Sequence, residues 1–414
     1  MSPPAAAPRT PRVSPARAAA YAVVRRVLEQ DAYADRVLQT EAERLEPRDR
    51  GLAKQLAFGA VQRRGTLDWV ISRLAPGKAL DPEVRAALHI GLYEQLFLNT
   101  ADHASIDQAV ELAKPNYGYK LVNAILRRLQ REGIELPGDD TIPGAAVHHS
   151  HPQWLVTLWW KQLGPDAARA LMAANNQPGE LALRVNTLVD VDEDALPPGR
   201  REGDALVVDG PFDVAGSPLF KAGVITPMSR AAQRVAPFLD PQPGERVLDL
   251  CAAPGGKTTH LAALMQTRGE LVAVERHPGR ARALTAACAR MHATNVEVLT
   301  GDAKHFADER GFDRVLVDPP CSGLGTLRTH PDLRWKMTPE AIGGLVLVQD
   351  AILAAAHAAL RPGGTLVYAT CTISDAEDRL PSADRFRTLP HVDGTDGFSV
   401  ARVTGDRPAV PPGN

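Results

Sequence analysis

Cysteine is scarce in this chain: Cys251, Cys288, Cys321 and Cys371 are the only four among 414 residues. So few, so widely spaced, do not make a disulfide framework, and no pair has the close C-x-x-C spacing of a zinc site. A reducing, cytoplasmic compartment is the default expectation. Long apolar runs are also missing. None approaches the ~18 residues that cross a bilayer, so no membrane association is expected. The opening MSPPAAAPRTPRVSPARAAA is basic and rich in Pro and Ala but lacks the apolar segment of a signal peptide; residues 1–14 are expected to be a disordered tail. No fixed-period repeat is present, and no strong charge of one sign, the formal net charge being -2.

That near-neutrality hides an asymmetry. Residues 1–138 carry a formal +4 and the remainder -6, a balance compatible with a polyanionic partner for the N-terminal part. The length exceeds one ordinary core, so two or three domains are expected, and 44% hydrophobic with 23% charged residues is ordinary for a globular protein.

The hydrophobic pattern divides the chain. Residues 15–136 read as successive helices. ARAAAYAVVRRVLEQ sets Ala20, Val23, Val24 and Val27 at three- and four-residue spacing, an amphipathic stripe. YKLVNAILRRLQREG puts Arg127, Arg128 and Arg131 on a polar flank, where they serve either as a solvated face or as phosphate contacts. Pro and Gly density in ELPGDDTIPG marks a linker over 137–150. A helix then follows HHSHP, with Pro152 suited to its first turn. His148, His149 and His151 have no adjacent Cys or acid spaced as a metal ligand, so no metal is expected there; Trp154, Trp159 and Trp160 are read as packing. Residues 151–236 are expected to form a small α+β connector.

From 237 to 406 the pattern is α/β, with a tail at 407–414. RVLDL, ELVAVE, VEVLTGD, FDRVLVDPP and GTLVYATC are β-branched apolar runs separated by helical stretches. That alternation predicts a parallel, doubly wound, Rossmann-like sheet, whose ligands sit at the carboxyl ends of the strands. The first strand leads into DLCAAPGGKTTH. It is not a phosphate loop, because Cys251 stands where that pattern needs glycine. What remains is a tight turn, Gly255–Gly256, opening a helix to a ligand. Glu275 ends the second strand, where an acid can accept from both ribose hydroxyls, and Asp302 follows the third. A glycine turn with two such acids suits an adenosine without phosphates, and S-adenosylmethionine fits better than a dinucleotide. The alternative is that the acids cap helices.

Asp318 and Cys321 follow the fourth strand and Cys371 the fifth. Packing suits Cys288, inside a helical stretch, but not two cysteines in loops at one sheet edge. Cytosine C5 is a weak nucleophile, and a thiolate adding to C6 makes it enamine-like. A second thiol can help the adduct break down, and a nearby acid can pair with the N3/N4 edge. Two cysteines and an acid meet that list.

LDLCAAPGGKTTHL, VDPPCSGLGTLRTHPDLRW, YATCTI and DGFSVAR, in that order, resemble the RNA (cytosine-5) methyltransferases of the Fmu/Sun type. DHASIDQAVELAK and LVNAILRRL resemble a NusB-like RNA-binding domain. The resemblance spans most of 15–405. It implies a NusB-like helical domain, a methyltransferase domain, and methyl transfer from S-adenosylmethionine to a cytosine of small-subunit rRNA, by a monomer without metal. It implies Cys371 as the C6 nucleophile and Cys321 as the residue aiding release. It implies cofactor contacts from Cys251, Ala252, Ala253, Pro254, Gly255, Gly256 and Lys257, with Glu275, Asp302 and Asp318. The chain departs from the family at Pro319 (usually Ala), at Glu275 (often Asp), and after Cys371, where a short segment carries Asp378 in place of Asn. Two other readings stay open: an amino-methyltransferase, since D-P-P occurs in enzymes methylating exocyclic nitrogens, and a non-catalytic RNA-binding assembly factor.

Overall fold

The computed structural model describes residues 13–98 and 100–404, so most of each expected tail lies outside it. The described chain forms two units: residues 13–176 with His330–Lys336, and Gln177–Thr329 with 337–404.

The first unit is all helix: α1 (Pro15–Gln30), α2 (Ala34–Ala42), α3 (Pro47–Gln62), α4 (Arg64–Leu74), α5 (Pro82–Phe97), α6 (Asp102–Ala113), α7 (Tyr119–Glu132), α8 (Ile142–His148), α9 (Gln153–Leu163) and α10 (Pro165–Ala174). Ser14 caps α1, its hydroxyl accepting from the Arg17 N–H, and Pro15 occupies the first turn, where no N–H is needed. The expected stripe, Ala20, Val23, Val24 and Val27, is buried, and Ala16 and Ala19 extend it. α5 is apolar nearly all round and accordingly central, burying Val84, Leu88, Ile90 and Leu92. Arg128 is not a free surface charge: its guanidinium donates to the Leu74 carbonyl at 2.9 Å and to Glu132 at 2.8 Å. The stretch expected as a linker, 137–150, contains the whole of α8, capped by Thr141. Its Pro143 suits a helix start as well as a linker, which is why composition misread it. Pro152 precedes α9 instead of entering it.

His330–Lys336, part of the run VDPPCSGLGTLRTHPDLRW that follows the fourth strand, belongs to this helical unit. Arg334 is fully buried in it, donating to the carbonyls of Ser150 (3.1 Å) and Asn175 (3.2 Å) and to Asn176 Oδ1 (2.9 Å). Trp335 Nε1 donates to the Val61 carbonyl at 2.7 Å.

The second unit opens with a small antiparallel sheet of β1 (Ala182–Val185), β2 (Gly199–Glu202), β3 (Ala205–Val208) and β4 (Ile225–Pro227), ordered β2-β3-β1-β4. Leu183, Val185, Leu206, Val208 and Ile225 form its core. It lies within the stretch expected as an α+β connector, 151–236, but α9 and α10 at the start of that stretch belong to the helical unit.

The main sheet comprises β5 (Arg246–Leu250), β6 (Glu270–Glu275), β7 (Val296–Thr300), β8 (Phe312–Val317), β9 (Leu360–Thr370), β10 (Arg385–Thr388) and β11 (Phe398–Thr404), ordered β10-β11-β9-β8-β5-β6-β7. β5 to β9 are parallel, as expected. β10 and β11 add antiparallel at the β9 edge, so the sheet is mixed rather than parallel throughout. The four-residue β10 is largely polar, which hides it from a pattern search. Alternate residues face opposite layers. Val247, Leu271, Ala273, Leu316 and Val367 pack with Leu261, Leu284 and Cys288, while Leu248, Leu250, Val274, Val315 and Val317 pack with Ile352, Leu353 and Ala356. The helix carrying the second set, Pro339–Ala359, has the length and apolarity of a membrane span, against the expectation of none; it lies on β8 and β9. Cys288 is packing, as read. Because β5 to β9 run parallel, the residues that follow each of them share one edge.

Candidate active site

At the end of β5 the chain reverses. Cys251 takes a left-handed conformation (φ 66) and Gly255 another (φ 103), where a Cβ would also come within 2.8 Å of Leu284. Only glycine meets both demands at 255 without strain. The helix Gly256–Leu264 therefore starts with its first N–H groups at the sheet edge. Thr258 Oγ1 donates to Asp249 Oδ2 at 2.7 Å, pinning the helix to β5. Burial, helped by the Asp318 charge, pushes the Asp249 carboxyl up to about 7. Burial and the carboxylates of Asp318, Asp249 and Glu275 push the Cys251 thiol upward, which keeps it a neutral thiol and unsuited to attack.

Glu275 is buried at the tip of β6, with Oε1 accepting from the His277 N–H at 2.8 Å. Arg280 links it to the turn, lying 3.5 Å from Glu275 Oε2 and donating to the Ala253 carbonyl at 2.8 Å. Asp302 does cap a short helix, Ala303–His305, through Oδ1, so the capping alternative describes half of its carboxylate. The buried acid, the glycine cradle and the exposed helix start suit an adenosine and its amino-acid tail.

Asp318 and Cys321 follow β8 and Cys371 follows β9. The two sulfurs lie 3.4 Å apart. The hydrogen bond to Cys371, then burial, then the charges around it hold the Cys321 thiol well above the ordinary range. Lys257, read from sequence as a cofactor contact, reaches this group. Its Nζ donates to Asp318 Oδ2 at 2.7 Å and lies 5.4 Å from the centre of the Phe398 ring. Burial opposes its charge, yet facing Asp318 the net shift of the ammonium is upward. The DGF segment closes the site. Gly325 N–H donates to the Cys371 carbonyl at 3.0 Å and Gly397 N–H to the Gly325 carbonyl at 2.8 Å; a Cβ at Gly325 would sit 1.9 Å from the Gly397 oxygen.

The sequence-selected residues thus gather along one edge. Sequence reasoning missed Arg280, the Lys257–Asp318 pair and the polar groups behind the cysteines. In the helical unit it also missed Asp139, whose Oδ2 lies 2.8 Å from His149 Nε2, with His148 beside them; the three offer ligand atoms within 4.8 Å of one another. His151 is apart, buried against Trp159.

Comparison with known proteins finds one family model in each unit and a third that spans the 176/177 boundary in sequence. The model of 16S rRNA methyltransferase RsmB/F matches residues 236–392, that of the NusB family 14–131, and that of the ferredoxin-like domain of RsmF/B-like methyltransferases 151–196. The chain is 35% identical to a probable ribosomal RNA small subunit methyltransferase B from Synechocystis, over 88% of this chain and 87% of the relative. It is 32% identical to the ribosomal RNA small subunit methyltransferase B of Vibrio cholerae, over 95% and 92%. Among solved structures, PH0851 superposes with a TM-score of 0.78 at 26% identity, covering 95% of this chain and 98% of that one. NSun6 from Pyrococcus horikoshii, solved with SFG, shares the fold (TM-score 0.57, 21% identity, 62% of this chain and 99% of that one). With a NusB domain, a methyltransferase fold of the kind that binds S-adenosylmethionine, and relatives matched nearly end to end, the chain belongs to the ribosomal RNA small subunit methyltransferase B family.

Proposed function

We propose that this chain methylates C5 of a cytosine in small-subunit ribosomal RNA through a transient bond between Cys371 and C6 of the base. The observation that carries the reading is the pair of thiols 3.4 Å apart at the ends of β8 and β9, beside Asp318 and Lys257. S-adenosylmethionine, when bound, supplies an electrophilic methyl group. The turn 251–256, Glu275 and Asp302 would hold it.

The chemistry of the chain's own residues divides in time. Cys371 as thiolate forms the S–C6 bond, and the C5=C6 pair moves toward C5. The Lys257 ammonium lies near enough to Cys371 for the two charges to interact. Asp318 pairs with the N3/N4 edge. After C5 carries the new methyl, its proton goes to a base, the C5–H pair re-forms C5=C6, the S–C6 bond breaks, and Cys371 leaves as thiolate. Cys321 suits that second half. Its sulfur lies 3.4 Å from that of Cys371, close to where the adduct forms, and it takes the proton of C5 as the base. The helical NusB-like unit supplies RNA affinity, its exposed Arg131, 3.7 Å from Glu132, being one cation within reach of phosphate.

The test is a trap. Cys321→Ala, given S-adenosylmethionine and small-subunit rRNA, is expected to accumulate a protein–RNA species stable to denaturing gels, while Cys371→Ala neither traps nor turns over. A trap formed by Cys371→Ala would reverse the roles. Full activity in both variants would end the covalent reading.

A further inference from the structure

Behind the two cysteines lies a buried polar cluster that none of the roles above uses. Glu377, in the short helix Asp375–Glu377, is fully buried, as are Ser322, Thr372 and Gln349. Ser322 directly follows Cys321 and Thr372 directly follows Cys371. Both are bound to the same carboxyl group. The Ser322 N–H donates to Glu377 Oε1 at 2.8 Å, and the Ser322 hydroxyl lies 2.5 Å from Oε2. The Thr372 hydroxyl lies 2.9 Å from the same Oε2 and 2.6 Å from the Ser322 hydroxyl. Gln349 Nε2 donates both to Glu377 Oε1 (3.1 Å) and to the carbonyl of Pro320 (3.0 Å), the residue before Cys321. The Tyr368 hydroxyl donates to the Glu377 carbonyl at 3.1 Å, fixing the main chain of the clamp itself.

We propose that Glu377 is a positioning residue that sets the spacing of the two thiols. The two cysteine loops follow different strands. β8 and β9 are hydrogen-bonded neighbours, but that ladder ends at the Val317–Tyr368 pair, before either cysteine. Beyond it the chain needs other ties. The Gly325 contact ties the far side of the Cys321 loop to Cys371. The Glu377 carboxyl ties the near side, gripping the neighbour of each sulfur-bearing residue. A fully buried carboxyl is costly unless its oxygens are satisfied. Here both are engaged by groups drawn from three separate segments, so the cluster holds one geometry rather than several. Its function follows from the requirement for near-attack placement: a shift of about 1 Å at the reacting group can cost about 100-fold in rate.

The inference rests on the proposed roles of Cys321 and Cys371, and a probe of thiol spacing separates the two. Phenylarsine oxide condenses with two adjacent thiols, forming two As–S bonds and releasing one water. Its binding to the full chain is measured by intact mass and peptide mapping, in competition with a small dithiol. Glu377→Gln keeps the shape but offers one acceptor oxygen where there were two. It is expected to weaken bridging of Cys321 and Cys371 at least tenfold and to lower kcat at least tenfold, with S-adenosylmethionine affinity and KM for RNA near those of the wild type. Should Glu377→Gln not fold, Ser322→Ala and Thr372→Val remove one donor each and are expected to move the same two readouts less. Unchanged bridging in a folded Glu377→Gln protein overturns the proposal, whatever its activity. Weakened bridging together with a fully active Cys371→Ala enzyme supports the clamp and sinks the covalent reading instead.

Discussion

Lys257 Nζ stands 2.7 Å from Asp318 Oδ2, joining the first turn after the cofactor-side glycines to the loop that carries Cys321. One ion pair thus bridges the two halves of the reaction centre: the strand end that would hold the methyl donor and the strand end that would hold the base.

Removing that ammonium has a specific consequence. Lys257→Met keeps the length and loses the charge, leaving Asp318 without its partner and Cys371 without a nearby cation. Asp318 then loses the group that holds its carboxylate in place, so methyl transfer is expected to fall at least tenfold. Lys257→Arg is expected to recover part of the rate. Single-turnover rates with saturating cofactor decide it; a Lys257→Met rate equal to wild type would show that the pair is structural only.

The buried carboxyl of Asp249 gives a stability signature. Its ordinary value of 3.8 rises to about 7 in the fold, by burial first and by the Asp318 charge as well. The folded state then holds a proton that the unfolded state has released. The stabilising contribution is complete below about pH 4 and is lost as pH rises through about 7. A displacement of that size corresponds to about 4 kcal/mol as an upper bound. Asp249→Asn cannot titrate. The stability of wild type relative to this variant is expected to decline steadily from pH 4 to pH 8 in urea unfolding, and a constant difference would contradict the assignment.

Much of this site is legible in the sequence because a parallel strand announces its own end. Five apolar runs each stop at a polar or special residue, and the parallel sheet then places Cys251, Glu275, Asp302, Asp318, Cys321 and Cys371 along one edge. What pattern cannot show is which side chains turn back from that edge. Ser322, Thr372 and Glu377 look like ordinary loop residues until the fold buries them together. β10 is too short and polar to be seen, and α8 begins in residues that read equally as a linker. His330–Lys336 sits in the motif run of one unit and packs in the other, a placement set by tertiary contacts alone.

Glu275 offers the sharpest check on cofactor binding. The carboxyl is almost fully buried at the tip of β6, one oxygen already accepting from the His277 N–H and the other 3.5 Å from Arg280. A ribose that donates to it gains charge-assisted hydrogen bonds in a site already stripped of water. Asp302 is more exposed and shares its carboxylate with the helix it caps. The two acids should therefore differ. Glu275→Ala leaves ribose hydroxyls unpaired and is expected to weaken S-adenosylmethionine binding by about 1–3 kcal/mol, whereas Asp302→Asn, which preserves the cap, is expected to cost less. Isothermal calorimetry on the full chain reads both. Equal, wild-type affinities in the two variants would remove these strand ends from the cofactor site, and a larger loss at Asp302 would place the ribose beside β7 instead of β6.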